Sequence, residues 1–398
     1  MSLLQTITTA LANQEPQIDQ SIHPIIFNSN DILRNLNLQI DDSNEDQTIK
    51  RVEGWKISDI DTEIVELGND FVKKLTKKRK NPNLFGIEEF LRLLKSFLEK
   101  IRAKVVVLVD VDGTSLSCVC VLIEKLGLFL GRDVVGLIVE SCVDLGVWDV
   151  LETLIREGVV GQLVPKSLIE GVIRTNRSDL ICLCVKHGSH VQSSDFLSIL
   201  KYFLSPPKDA YSTMLVVRKE WEKEGLLAIE KATKKGVSSQ LALVAKQASL
   251  LLMIAYDGFD SSELCMHYLF ASSILDELAL SYCASRLDGA EMVKLIRYFG
   301  KWLRKYERFP QVVPCPKAAS SLNLKCCDFV PALEVIVKCL GSVLDDQFSS
   351  LMLHSEYYEE LRSIDEVVKS LTSEVRLYCS LADLVNNVRR EVGPGDNV

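Results

Sequence analysis

A helical period, repeated from segment to segment, constrains the fold of this chain more than any other feature. Residues 292–306 show it best. Apolar side chains fall at Met292, Leu295, Ile296, Phe299, Trp302, Leu303 and Tyr306, the spacing of a helix with one buried stripe. Lys294, Arg297, Lys301, Arg304, Lys305 and Arg308 gather on the other side, within an arc of roughly 100°. Only Glu307 breaks the sign of that face. The stretch therefore writes one helix with a core face and a cationic face. Such a face either lies in solvent or touches RNA phosphates or an acidic partner.

The same period organises most of the chain. It predicts helices over 57–80, 88–101, 212–234, 237–256, 260–285 and 329–344. Residues 1–55 are polar, with Asp41, Asp42, Glu45 and Asp46 close together, and read as largely disordered. Residues 56–204 read as a helical region with degenerate repeats. Within it, 149–158 echoes 179–188 at an offset of thirty: aliphatic positions, a cation (Arg156, Lys186) and a terminal glycine (Gly158, Gly188) coincide. A glycine there suits a helix C-cap, and the echo favours stacked helix pairs of α-solenoid type. Ser205, Pro206 and Pro207 mark a break, and 210–392 reads as a C-terminal helical assembly domain. Pro310, Pro314 and Pro316 make 309–325 a loop. The last element is the most regular: Tyr357, Leu361, Ile364, Val368, Leu371, Val375, Tyr378, Ala382 and Val385 alternate spacings of four and three. That is a heptad seam on one long terminal helix, suited to a partner helix or groove. The expected fold is all-α: an irregular helical-repeat body, a C-terminal bundle and one long terminal helix.

Composition narrows the function classes. A net charge of -8 excludes a globally basic nucleic-acid binder and leaves any RNA contact to a local patch. A hydrophobic content of 47% supports a large core. No apolar run reaches the length of a membrane span, and Lys246 interrupts the longest, 241–256. The chain shows no charged-then-apolar leader, and an intracellular protein without membrane partners is expected. The twelve cysteines sit mostly among Leu, Val and Ile, as reduced core thiols do. Lys77, Lys78, Arg79 and Lys80 close a basic cluster that serves either nuclear import or a solvated helix end.

Two constellations offer other chemistry. Val105, Val106, Val107, Leu108 and Val109 run into Asp110, Asp112, Gly113 and Thr114. This looks like the first motif of haloacid-dehalogenase-type phosphatases, with Asp110 as nucleophile and Mg²⁺ ligand and Asp112 as general acid/base. That chemistry needs a parallel α/β sheet, and no strand–helix alternation follows. Cys182, Cys184, His187 and His190 put four zinc-ligand types in nine residues, but two cysteines two apart on a helix point about 200° from each other. No catalytic residue, cofactor, metal or small-molecule substrate is assigned.

One resemblance gives a more specific expectation. Residues 288–390 resemble the nucleolar protein 11-like family, subunits of the UtpA subcomplex of the small-subunit processome. Three pieces carry it: Arg297-Tyr-Phe-Gly-Lys-Trp-Leu-Arg-Lys-Tyr306, Cys339-Leu-Gly-Ser-Val-Leu-Asp-Asp-Gln-Phe348, and Val375-Arg-Leu-Tyr-Cys-Ser-Leu381. The resemblance implies a non-catalytic helical domain that assembles with sister subunits in the nucleolus. It implies support of ribosomal RNA transcription and pre-18S processing, with pre-rRNA as a possible contact. The family's β-propeller has no counterpart here, so functions placed in it do not carry over. A generic helical scaffold of another complex is the alternative. The expected docking seam is Leu361, Ile364, Val368, Leu371, Val375 and Tyr378, and the expected RNA or acidic-partner face is Lys294, Arg297, Lys301, Arg304 and Lys305.

Overall fold

Wherever the apolar period runs, the chain is helical. The computed structural model describes residues 59–80, 85–105, 115–160, 166–188, 191–234, 239–271 and 277–392. These form seventeen α-helices and a few 3-10 turns, and no strand among the described residues. The all-α expectation therefore holds. The chain divides into two compact units, 1–62 and 63–398. The polar segment 1–55, Asp110, Asp112 and His190 lie outside the described residues.

The first eight helices are α1 (Asp59–Arg79), α2 (Ile87–Val105), α3 (Ser115–Leu126), α4 (Arg132–Leu145), α5 (Trp148–Arg156), α6 (Lys166–Arg174), α7 (Ser178–His187) and α8 (Ser193–Leu204). From α3 on, each packs on the helix two places further along: α3 on α5 and α5 on α7, α4 on α6 and α6 on α8. The two segments that echo each other in sequence are α5 and α7, neighbours in one of these rows. Their entries also match. Gly146 before α5 has φ 70° and Asn176 before α7 has φ 57°. The next residues repeat a second conformation, Val147 at φ -89°, ψ 75° and Arg177 at φ -92°, ψ 73°. In both places the amide of that residue donates five back, Val147 to the Cys142 carbonyl at 2.9 Å and Arg177 to Val172 at 3.1 Å. This is the Schellman closure of a helix on a left-handed residue, which glycine adopts freely and asparagine tolerates. The glycines that end the echo do not match each other. Gly158 is left-handed at φ 67°, whereas Gly188 is extended at φ -78°, ψ 135°.

The second part begins at a corner through Pro206 and Pro207. It comprises α9 (Tyr211–Thr233), α10 (Ser239–Tyr256), α11 (Ser261–Ala271), α12 (Glu277–Ala284), α13 (Gly289–Arg308), α14 (Pro316–Leu322), α15 (Leu333–Asp346), α16 (Phe348–Leu353) and α17 (Tyr358–Val392). The expected loop 309–325 contains α14. Pro316 does not prevent a helix because it stands at the first helical position, where no amide hydrogen is required. The single helix expected over 260–285 is two, α11 and α12.

Helix α11 is the hub. Every residue from Glu263 to Phe270 is buried, so this helix has no solvent face and no amphipathic pattern to announce it. It packs against α7, α8, α9 and α15. At its centre His267 is ringed by Trp221, Phe259, Tyr298 and Trp302, with ring centroids 4.7 to 5.7 Å away. Its Nε2 stands 2.9 Å from the Ala255 carbonyl and its Nδ1 2.9 Å from the Tyr298 hydroxyl. A carbonyl only accepts, so Nε2 carries the proton and Nδ1 accepts from the tyrosine. Both polar atoms of a fully buried ring are thereby satisfied.

Burial pushes the His267 pKa down to about 3, so this ring stays neutral in the folded chain. The unfolded chain takes up that proton below about pH 6.5. The contribution to stability is therefore complete above pH 6.5 and is lost as pH falls toward 3. Moving from pH 6.5 to 5 should cost about 2 kcal/mol through this residue alone. Urea unfolding at the two pH values, compared with His267→Gln, measures it: the variant should show a smaller drop by that amount, and an equal drop would refute the assignment.

Candidate docking surface

The terminal helix α17 divides into two halves that sit in different environments. In the first, Ile364 and Val367 are buried and Leu361 and Leu371 are half-buried against the core, with Tyr357 buried just ahead of the helix. The docking surface is α13. Close approach is possible because α13 presents Gly300, where an added Cβ would stand 3.2 Å from Ile364 Cγ1. Arg297 Nε donates to Glu360 at 2.7 Å and Arg304 Nη1 to Ser363 Oγ at 2.6 Å. Val368, expected in the seam, is exposed, and Val367 is buried in its place. A straight helix at 3.6 residues per turn drifts from a strict 3.5 repeat by about 20° per heptad, so the residue three past Ile364 faces inward.

The cationic face of α13 also needs correction. Expected to be open, it is engaged within the chain at every named position. Lys294 donates to the Leu204 carbonyl at 2.8 Å, Lys301 to both oxygens of Glu263 at 2.7 Å, and Lys305 to Asp257 at 2.6 Å. Arg297 and Arg304 donate to α17 as above while staying exposed. The Lys305 ammonium holds the Asp257 carboxyl below its ordinary range. Lys294, Arg297 and Lys301 also line a cleft of about 290 Å³ with Asp260 and Glu263. Three cations face two carboxylates there, and Lys301 is already bound to Glu263, so most of the charge in the cleft is answered within the chain.

Glu263 shows what the sequence reading missed. It lies at the start of α11, where its amide donates to Asp260 Oδ1 and its carboxylate accepts from the Asp260 amide, both at 2.8 Å. Asp288 and Glu291 do the same at the start of α13, at 3.0 and 2.8 Å. These are capping boxes. Asp260-Ser-Ser-Glu263 and Asp288-Gly-Ala-Glu291 carry their signature openly. What the pattern does not carry is that Glu263 also receives Lys301 from another helix.

The remaining candidates fall as follows. Cys182 and Cys184 are buried thiols and His187 is exposed, so these three do not converge on a metal. Among the described residues, Glu220, Glu224 and Cys326 bring donor atoms within 4.8 Å of one another. Their positions are already occupied: Lys186 pairs with Glu220 at 3.2 Å, and Glu224 accepts the Cys326 amide at 2.7 Å. Burial pushes both the Glu224 carboxyl and the Cys326 thiol up. Within the basic cluster, Arg79 bridges Glu140 and Asp144 of α4, each at 2.8 Å, and Lys78 pairs with Glu89. Lys77 and Lys80 are exposed. The sheet that an Asp110 phosphatase requires has no strand among the described residues. No helix among them is long and apolar enough to cross a membrane.

Beyond Leu371 the helix α17 leaves the core. Val375, Leu377, Tyr378, Leu381, Leu384 and Val385 are all exposed, Val375 at 58% and Tyr378 at 60%. At 100° per residue these side chains and Ala382 share one half of the helix circumference, roughly 180°. Arg376, Ser380, Asp383 and Asn387 take the other half. A helix with this pattern buries its apolar half when it can, and a contiguous apolar face of this size marks an interaction surface.

Thermal unfolding separates the two halves. Ile364→Asp should destabilise by about 3 kcal/mol or more, because it places an unpaired charge in the α13 contact. Val375→Asp should leave the stability of the single chain unchanged within about 0.5 kcal/mol; equal losses would contradict the division. Lys301→Met should cost about 3 kcal/mol by leaving the Glu263 carboxylate buried and unpaired, measured by denaturant unfolding against Lys369→Met, which breaks only an exposed pair with Asp365. No protein-family model matches the chain, and no curated protein is similar enough to it to count as a match.

Proposed function

We propose that this chain is a non-catalytic assembly subunit: a helical body that presents the free half of α17 to a partner. The carrying observation is the apolar face of residues 375–385, which packs on nothing among the described residues while the preceding turns of the same helix are buried. Leaving several large aliphatic side chains in water forgoes roughly 1.5–3 kcal/mol for each, and helix-in-groove or coiled-coil docking recovers it.

The assembly we assign is the nucleolar small-subunit processome, in support of rRNA transcription and pre-18S rRNA processing. Support for this comes from the resemblance of residues 288–390 to the nucleolar protein 11-like family. Direct protein contact is favoured over RNA contact, because Lys294, Arg297, Lys301, Arg304 and Lys305 already have partners in the chain.

Co-purification of the tagged chain from nuclear extract, with and without nuclease and with partners identified by mass spectrometry, tests this reading. Processome subunits should be recovered in both arms, and recovery should fall at least tenfold with Leu381→Asp. Recovery only without nuclease would move the contact to RNA. Recovery of cytoplasmic coat or proteasome components instead would reject the processome.

A further inference from the structure

We infer that the free half of α17 pairs antiparallel with the same half of a second copy of this chain. The inference rests on the reading of that arm as a docking element and names its first occupant.

Three observations carry it. The first is size. The arm runs from Thr372 to the end of α17 at Val392, about 30 Å at 1.5 Å per residue. Crossed at Ser380, the two arms overlap over 372–388 and bury on the order of 1,000 Å², at the low end of specific protein contacts. The second is volume. Antiparallel coiled coils set the first core position of each heptad against the other core position of the partner. With the crossing at Ser380, Val375 meets the partner's Val385, and Tyr378 meets the partner's Ala382. The largest side chain of the seam therefore lies over the smallest, and the two valines fill the flanking layers. The third is the absence of conflict at the crossing. Residues facing their own copies there are Leu381 on one flank and Cys379 on the other, and neither carries a fixed charge. The charged residues Arg376 and Asp383 point away from the seam, and Glu374, on the Leu381 flank, lies six residues from the crossing.

The apolar face is wider than a two-stranded seam needs. Leu377 and Leu384 stay at its edge after pairing and leave room for a further helix beside the dimer. Self-pairing and docking to other subunits are thus compatible on one arm.

Light scattering on the purified chain after size exclusion tests the inference. A dimer of twice 44.6 kDa should form at micromolar concentration. Leu381→Glu and Leu381→Lys should each be monomers, and both should unfold at the temperature of the wild-type chain diluted to its monomer, because Leu381 is exposed in the single chain. Mixing these two variants should restore the dimer, since an antiparallel crossing sets position 381 against itself; a parallel pairing would not. Cys379 provides a second readout, as it alone of the described cysteines is exposed. A short bismaleimide should give a covalent dimer that Cys379→Ser abolishes. A monomeric wild-type chain, or a dimer that survives both Leu381 variants, overturns the inference. If the chain is monomeric yet Leu381→Asp still breaks co-purification, self-pairing fails and the assembly reading stands. If Leu381→Asp changes neither association, both fail.

Discussion

The burial of α11 from Glu263 to Phe270 is the constraint on which the rest of the second part depends. A helix with no solvent face must have every polar group answered by protein. His267 is answered by Ala255 and Tyr298 and stays neutral. Glu263 is answered as well: it closes the α11 cap through Asp260 and pairs with Lys301 on α13. One buried helix thereby fixes the position of a second, and the aromatic ring around His267 fills the space between them.

That arrangement decides what α13 can do. Its stripe from Met292 to Tyr306 enters the core, and Tyr298 and Gly300 are buried as well. Its cations are turned toward α8, the end of α10, α11 and α17. A face that looks like a nucleic-acid patch in isolation is thus part of the internal ion pairing. The physical difference lies in neighbours: a charge arc binds phosphate only where no carboxylate or carbonyl of the chain reaches it first.

In α17 the opposite happens. Its seam continues past the body it docks on, and the same apolar pattern is core at Ile364 and surface at Tyr378. Nothing in the period of the helix changes at Leu371; what ends there is α13's reach. The arm is therefore a packing element without its second layer, which is the physical content of the assembly reading.

The sequence by itself determined most of the helices, their buried stripes, the corner at Pro206 and Pro207, and the capping boxes at Asp260 and Asp288, because spacing and local hydrogen bonding belong to neighbours in the chain. It also held the thirty-residue echo between α5 and α7, though not the equivalence of Gly146 and Asn176, two residues that share only tolerance of a left-handed backbone. Tertiary structure alone decided that α11 is buried all round, since a helix apolar on every side has no period to read. It decided that Val367 rather than Val368 meets α13, that the cations from Lys294 to Lys305 find partners inside the chain, and that the terminal seam is half covered. Each of these depends on which distant element arrives, and distance along the chain carries no record of that.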